Sequence, residues 1–261
     1  MIEDTFFEKG YVIVEDIIPM PAITRLQQYL QSNVDFALSE VYKEVGESDR
    51  NIPALVKRLA DKEGFEKLSA GTKSILSGHF PLSVRLSEEL WAVPRAASFR
   101  KLIEKLVGSA DLRMHMPPAA RFVLPGNVHA GVPAHQDYVY GNHMSDFITV
   151  WVPLVDIDDK CGGLAIFEGS HLKPIAIGDS GGPFWLEAVP TKAYRRVECP
   201  IRAGGAIIMN KYIIHESIGN RATHSRLSID YRFFGKESTS TKHFLDMQSW
   251  KVVAPGSDAS H

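Results

Sequence analysis

From about residue 112 the chain is divided into short runs rich in β-branched and aromatic residues, and this spacing restricts the fold more than any other feature. "RFVLP", "DFITVWVPLVDI", "GLAIFEGSH", "GGAIIMNKYIIHES" and "RLSIDYRFFG" are separated by Gly, Pro and Asp, without a helical segment between each strand and the next. Such runs predict a mainly β chain, a sandwich or jelly roll, rather than alternating β and α units. The last run is the most informative. Leu227, Ile229, Tyr231 and Phe233 alternate with Arg226, Ser228, Asp230 and Arg232, so one strand face is apolar and the other polar. Arg226 and Ser228 then share a face. An arginine turned inward beside a hydroxyl is costly unless an anion meets it, and the planar guanidinium suits a carboxylate bidentately.

The first third reads as helical. In "PAITRLQQYLQSNVDFALSEV" Ile23, Leu26, Leu30 and Val34 recur at intervals of three and four, predicting a helix that begins near Pro21. A second helix is expected in "IPALVKRLADKEGF". A third, "SFRKLIEKLVG", has Ser98 placed to cap its start and Gly108 to end it. "KSILSGHFPLSVRL", near residue 80, reads equally as a lid or as a buried connector. With no internal repeat and no low-complexity linker, residues 1–261 read as one domain: a helical part to about 111, a β core over about 112–235, and an extension over about 236–261 whose tail "APGSDASH" looks loose.

The formal net charge is −2 and no basic run is present, so no nucleic-acid partner is expected. No apolar stretch approaches the ~20 residues of a spanning helix, and "MIEDTFFEKG" lacks the features of a signal peptide, so the expectation is a cytoplasmic protein without a membrane partner. Cys161 and Cys199 read as reduced thiols. Nothing in the sequence speaks to the oligomeric state.

The chemistry concentrates in "HAGVPAHQDYVYGNHMSDF", residues His129 to Phe147. On an extended strand His135 and Asp137 project from one face and aim a nitrogen and an oxygen at a common point, which is half of a metal site. An H-x-D alone is weak evidence in a chain with ten histidines. His215 strengthens it, because it ends the apolar strand "GAIIMNKYIIHES" and is followed eleven residues later by Arg226.

With these residues in hand, the sequence resembles the phytanoyl-CoA dioxygenase family of Fe(II)- and 2-oxoglutarate-dependent oxygenases. The resemblance is carried by His135 and Asp137, by His215, by Arg226 and Ser228, by "GGLAIFEGSH" between them and by the opening "FFEKGYVIVEDIIP", and it covers roughly residues 6 to 235. It implies a double-stranded β-helix, or jelly roll, with N-terminal helices and with iron at one open end. It further implies that His135, Asp137 and His215 form the two-His, one-carboxylate triad that leaves three metal positions open. 2-Oxoglutarate would take two of them and O2 the third, with the far carboxylate of the cosubstrate on Arg226 and Ser228. Succinate and CO2 would be released as a small-molecule substrate is oxidised.

In related halogenases a small residue stands where Asp137 does, so its presence favours hydroxylation or another oxidation that needs no halide. Trp151 and Thr149 share a face of "FITVWVPL", where similar tryptophans line the cosubstrate pocket; core packing explains them equally well. Arg121 is a candidate for the cosubstrate or an anionic substrate, or else a surface ion pair. Tyr138, Tyr140, Asn142 and His143 follow the H-x-D strand on a loop, where specificity residues usually lie. His171 reads as structural, and His115, His129, His224 and His243 as ordinary polar histidines.

Two rivals stand beside this reading. "GDSGGP", residues 178 to 183, matches the nucleophile segment of chymotrypsin-like proteases, which need His, Asp and Ser in that chain order after a preceding barrel. His79 is the only histidine before residue 115 and lacks the expected surroundings, and too little chain separates His135 from Ser180 for a barrel. The segment therefore reads as a Gly-rich turn. The other rival is a non-catalytic jelly roll that has kept a metal-binding trio.

Overall fold

The computed structural model describes residues 1–47, 50–141, 143–173 and 191–256. Its helices are α1 (Ile2–Lys9), α2 (Met20–Val45), α3 (Ile52–Arg58), α4 (Lys62–Glu66), α5 (Ala70–Leu76), α6 (Leu82–Arg85), α7 (Ala97–Val107) and the short α8 (Tyr138–Gly141). The strands are β1 (Tyr11–Val14), β2 (Leu112–His115), β3 (Ala119–Val123), β4 (His135–Gln136), β5 (Ile148–Pro153) and β6 (Leu164–Glu168), followed by β7 (Arg195–Glu198), β8 (Ala206–Asn210), β9 (Ile214–Ser217), β10 (Arg226–Gly235), β11 (Phe244–Asp246) and β12 (Lys251–Val253). They form two antiparallel sheets. The larger runs β1-β8-β5-β10-β2-β11-β12 with β3 also on β10, and the smaller runs β4-β9-β6-β7.

Period-two alternation decides which face of the larger sheet meets which layer. Val150 and Val152 of β5, Ile208 of β8, and Ile229, Tyr231 and Phe233 of β10 join Leu26 and Leu30 of α2 and Phe99 and Ile103 of α7 in the main core. Each such side chain, fully buried, contributes roughly 1.5–3 kcal/mol by area removed from water. The Tyr231 hydroxyl donates to the Leu90 carbonyl at 2.7 Å, so its burial leaves no orphaned polar atom. The opposite residues turn towards the smaller sheet. There Trp151, Ile207 and Met209 pack with Leu164, Ile166 and Ile213. β10 is thus buried on both faces, and its polar face looks into the space between the sheets.

The predicted helix near Pro21 is present as the 26-residue α2, with Pro21 in its first turn and its apolar stripe buried from Ile23 to Val45. Other local expectations are corrected. Ser98 does not cap α7, because Ala96 holds the cap position and the Ser98 hydroxyl donates instead to the Ile17 carbonyl at 2.8 Å; Gly108 does end the helix, at φ +73°. The second predicted helix is interrupted between Arg58 and Lys62, where the Asp61 side chain accepts from the Gly64 amide and starts a new turn. The β architecture also reaches beyond residues 112–235. β1 pairs with β8, and β11 and β12 extend the sheet past β2, so residues outside the expected core complete it. The stretch near residue 80 is a connector: Phe80 is buried, and His79 forms an isolated bridge with Arg121. "GDSGGP" with Ser180, Asn142, and the last residues of the tail lie outside the described residues.

Candidate active site

Between the sheets lies a cavity of about 540 Å³, within the range of small-molecule sites. His135 on β4 and His215 on β9 face each other directly in the antiparallel register, with ring centroids 4.3 Å apart. Asp137 follows two residues after His135, with Oδ1 3.8 Å from His135 Nε2. One ligand atom from each of the three lies within 4.8 Å of the others, and all three residues are buried. The backbone selects the tautomers: His135 Nδ1 lies 2.8 Å from the Pro133 carbonyl and His215 Nδ1 3.2 Å from the Ile213 carbonyl. A ring nitrogen against a carbonyl must be the protonated one, which leaves Nε2 of both rings as a lone-pair donor.

The electrostatics agree with a cation site. Burial and the neighbouring His135 push His215 down to about 4, so its ring is neutral at physiological pH. Burial works against the charge on Asp137, but the Arg232 guanidinium, followed by the two imidazoles, overcomes it and holds the carboxyl well below the usual range. Two neutral imidazoles and one carboxylate are the donor set of a facial triad, so these residues fit ferrous iron.

β10 carries the rest of the polar wall. Arg226 is buried, and its Nη1 donates to the carbonyls of Gly162 at 3.1 Å, Gly163 at 3.3 Å and Ile218 at 2.8 Å. Its Nε has no partner among the described residues, and burial, then the nearby Arg121, lowers its pKa to about 10, still charged at neutral pH. The glycines make this seat possible. Gly162 adopts φ +61°, and a Cβ there would lie 2.4 Å from the Gly219 carbonyl oxygen. Ser228 lines the cavity two residues on, as expected from a shared strand face.

The other expected residues divide. Trp151 lines the cavity, whereas Thr149, buried on the same strand face, is not among the lining residues, and its hydroxyl has no partner among the described residues. Tyr140 lines the cavity with its ring 5.3 Å from His135, and burial, aided by Asp137, pushes its hydroxyl up to about 12. Tyr138 turns away: its ring lies 4.9 Å from Tyr212. His143 Nε2 lies 3.2 Å from His115 Nδ1, so both leave the cavity wall and His115 does have a partner. His129 stacks on Phe65 with centroids 3.8 Å apart. His171 contacts the Phe7 carbonyl at 3.2 Å, a structural position. Arg121 forms no surface ion pair; its Nη2 donates to the carbonyls of Ser77 at 2.8 Å and Ala130 at 2.9 Å, and it lines the cavity.

The sequence reading missed Arg232, Asp230 and His79 as wall residues. The signal for the first two was present, since the alternation that turned Arg226 and Ser228 inward does the same for Asp230 and Arg232. His79 carried no such signal, because a bridge between residues 79 and 121 is a tertiary event.

A jelly roll with a two-His, one-carboxylate cluster between its sheets is the architecture of non-heme iron oxygenases. The family model of phytanoyl-CoA dioxygenase matches residues 6–228, and the chain belongs to that family, whose cofactors are Fe(II), 2-oxoglutarate and O2. Among curated proteins it is 28% identical over 196 residues to the 1-deoxypentalenic acid 11-beta-hydroxylase of Streptomyces exfoliatus, covering 64% of this chain and 62% of that one. The chain thus spans about three-fifths of the length of that relative. Its fold is similar to the epimerase SnoN in complex with Fe3+, alpha ketoglutarate and nogalamycin RO, at a TM-score of 0.62 and 20% identity over 92% of this chain and 84% of that one. It is also similar to the alpha ketoglutarate dependent carbocyclase SnoK from nogalamycin biosynthesis, at a TM-score of 0.56 and 16% identity over 92% and 85%. Among the described residues, no helix is long and apolar enough to cross a membrane.

Proposed function

We propose that the chain is an Fe(II)- and 2-oxoglutarate-dependent oxygenase, working as a single domain, that hydroxylates or otherwise oxidises a small molecule while 2-oxoglutarate is decarboxylated to succinate and CO2. The observation that carries this reading is the convergence of His135, Asp137 and His215 within 4.8 Å on the wall of a cavity that also holds Arg226, whose Nε has no partner among the described residues. Ferrous iron supplies the activation of O2 when bound.

The protein's own residues orient and exclude. His135 and His215 present Nε2 because carbonyls hold their Nδ1 protons. Arg226, fixed by the Gly162, Gly163 and Ile218 carbonyls, offers its remaining guanidinium edge to the far carboxylate of 2-oxoglutarate, with the Ser228 hydroxyl beside it. Trp151, Leu164 and Val132 form an apolar wall that keeps bulk water from the reacting end. Tyr140 stays protonated across the physiological range and offers a hydrogen-bond donor near Asp137.

Asp137 occupies the ligand position that a halide would need, so the reaction inserts oxygen or removes hydrogen and does not chlorinate. The relatives named as hydroxylase, epimerase and carbocyclase illustrate how widely outcomes vary within this fold. The test supplies iron, ascorbate, 2-oxoglutarate and candidate metabolites, and follows succinate and product mass together. Succinate and an oxidised, chlorine-free product formed in step support the reading; succinate release that no member of a broad panel stimulates favours a non-catalytic metal-binding jelly roll.

A further inference from the structure

The cavity carries a charge imbalance that the oxygenase reading alone does not use. Among the described residues three guanidinium groups line it, those of Arg121, Arg226 and Arg232, against two carboxylates, Asp137 and Asp230. Burial, together with Arg121 and then Arg85, pushes His79 down to about 4, so it adds no charge at neutral pH. Ferrous iron and the dianion of 2-oxoglutarate cancel one another. One positive charge is left over in a largely desolvated space, where an unpaired charge is expensive.

The geometry says where that charge sits. Arg232 is taken by Asp137, to which its Nη2 donates at 3.0 Å. Arg226 is anchored to the β6 and β9 side of the cavity through the Gly162 and Ile218 carbonyls. Arg121 stands on β3 directly across from Ser228 and turns its guanidinium to the connector after α5, which supplies the Ser77 carbonyl; like those of Arg226 and Arg232, its Nε has no hydrogen-bond partner among the described residues. Ser74, Ser77 and His79, from α5 and the connector after it, make this wall polar. Asp230 faces the same space, and burial, only partly offset by Arg121, pushes its pKa up to about 6.

We propose that the substrate carries a single anionic group, such as a carboxylate, which docks on Arg121 at the wall formed by Ser77 and His79, one strand over from Ser228 and the cosubstrate seat at Arg226. This rests on the oxygenase reading, because the charge count takes iron and 2-oxoglutarate as bound. A guanidinium held in place by two carbonyls is already oriented, so the acid that meets it gives up less freedom on binding.

The test uses two fluorescent probes with the same apolar body: 8-anilinonaphthalene-1-sulfonate, which is anionic, and N-phenyl-1-naphthylamine, which is neutral. Each is titrated anaerobically into protein loaded with Fe(II) and 2-oxoglutarate, with iron and 2-oxoglutarate affinities measured separately. In Arg121→Gln the sulfonate should bind about tenfold or more weakly, the neutral amine should be unchanged, and iron and 2-oxoglutarate affinities should stay within about twofold of wild type. Should Arg121→Gln fail to fold, the wild-type protein still decides, since raised salt should weaken only the sulfonate. Equal loss of both probes, no sulfonate binding, or no salt dependence overturns the proposal. So does a loss of 2-oxoglutarate affinity in Arg121→Gln, which would assign Arg121 to the cosubstrate and leave the oxygenase reading intact. Wild-type protein that binds neither iron nor 2-oxoglutarate contradicts the oxygenase reading itself.

Discussion

Arg232 and Asp137 form a buried ion pair, with guanidinium Nη2 3.0 Å from carboxylate Oδ1. Arg232 lies on β10 of the larger sheet and Asp137 in the turn that follows β4 of the smaller one, 95 residues apart in sequence. The pair holds a ligand candidate in place and keeps it ionised before any metal arrives. Without iron, Arg232 is the cation that makes burial of Asp137 tolerable.

Replacing Arg232 with Gln should therefore harm the metal-free protein most. Breaking one side of a buried pair typically costs about 3–5 kcal/mol. Added metal then supplies the missing positive charge, so Mn(II), as a redox-inert stand-in for Fe(II), should raise the melting temperature of Arg232→Gln more than that of wild type. Equal metal-induced shifts would mean that Arg232 does not stabilise the Asp137 charge.

Arg226→Ala should weaken 2-oxoglutarate binding by about 100-fold or more, corresponding to ~3 kcal/mol, with iron affinity little changed. Arg226→Lys should recover only part, because an ammonium cannot reproduce the fork that meets three carbonyls and a carboxylate. Calorimetric titration of the two variants checks this. Unchanged affinity in Arg226→Ala removes the residue from the cosubstrate site.

The polar face of β10 was legible in advance because side-chain alternation is a local property, and His135 and His215 were legible as strand residues; β4 ends at Gln136, so Asp137 joins them from the turn that follows and not from the strand face its spacing predicted. What could not be read depends on distant pairing. The partner of Asp137 lies on β10, 95 residues further along the chain, and Arg121 faces the cavity rather than solvent because the connector holding Ser77 and His79 folds against β3. The cap of α7 failed for a similar reason: the Ser98 hydroxyl finds the Ile17 carbonyl, 81 residues away in the chain, and leaves the cap position to Ala96. β1 joins the sheet through β8, a pairing between residues nearly 200 apart in the chain.

Gly162→Ala should lower both stability and 2-oxoglutarate affinity. The residue sits at φ +61°, and the added Cβ would press on the Gly219 carbonyl beside the Ile218 carbonyl that seats Arg226. A variant that loses stability in urea but binds 2-oxoglutarate as wild type does would separate the turn from the Arg226 seat.

Acid should destabilise the protein through His79, whose pKa is depressed from 6.5 to about 4. A histidine held neutral in the folded state but free to charge when unfolded contributes stability that is full above pH 6.5 and is lost as pH falls towards 4. Between pH 7 and 5 this single group accounts for about 2 kcal/mol. His79→Gln should accordingly lose less stability over that interval than wild type. Parallel urea curves at the two pH values for both proteins measure it, and an identical loss in the variant would assign the acid sensitivity elsewhere.

The central claim is that His135, Asp137 and His215 hold one catalytic iron, and anaerobic equilibrium binding of Fe(II) tests it most directly. The account predicts one tightly bound iron per chain in the wild-type protein, and loss of that stoichiometric binding in His135→Ala and in His215→Ala while both variants remain folded. Iron bound with wild-type stoichiometry and affinity by both variants would contradict it.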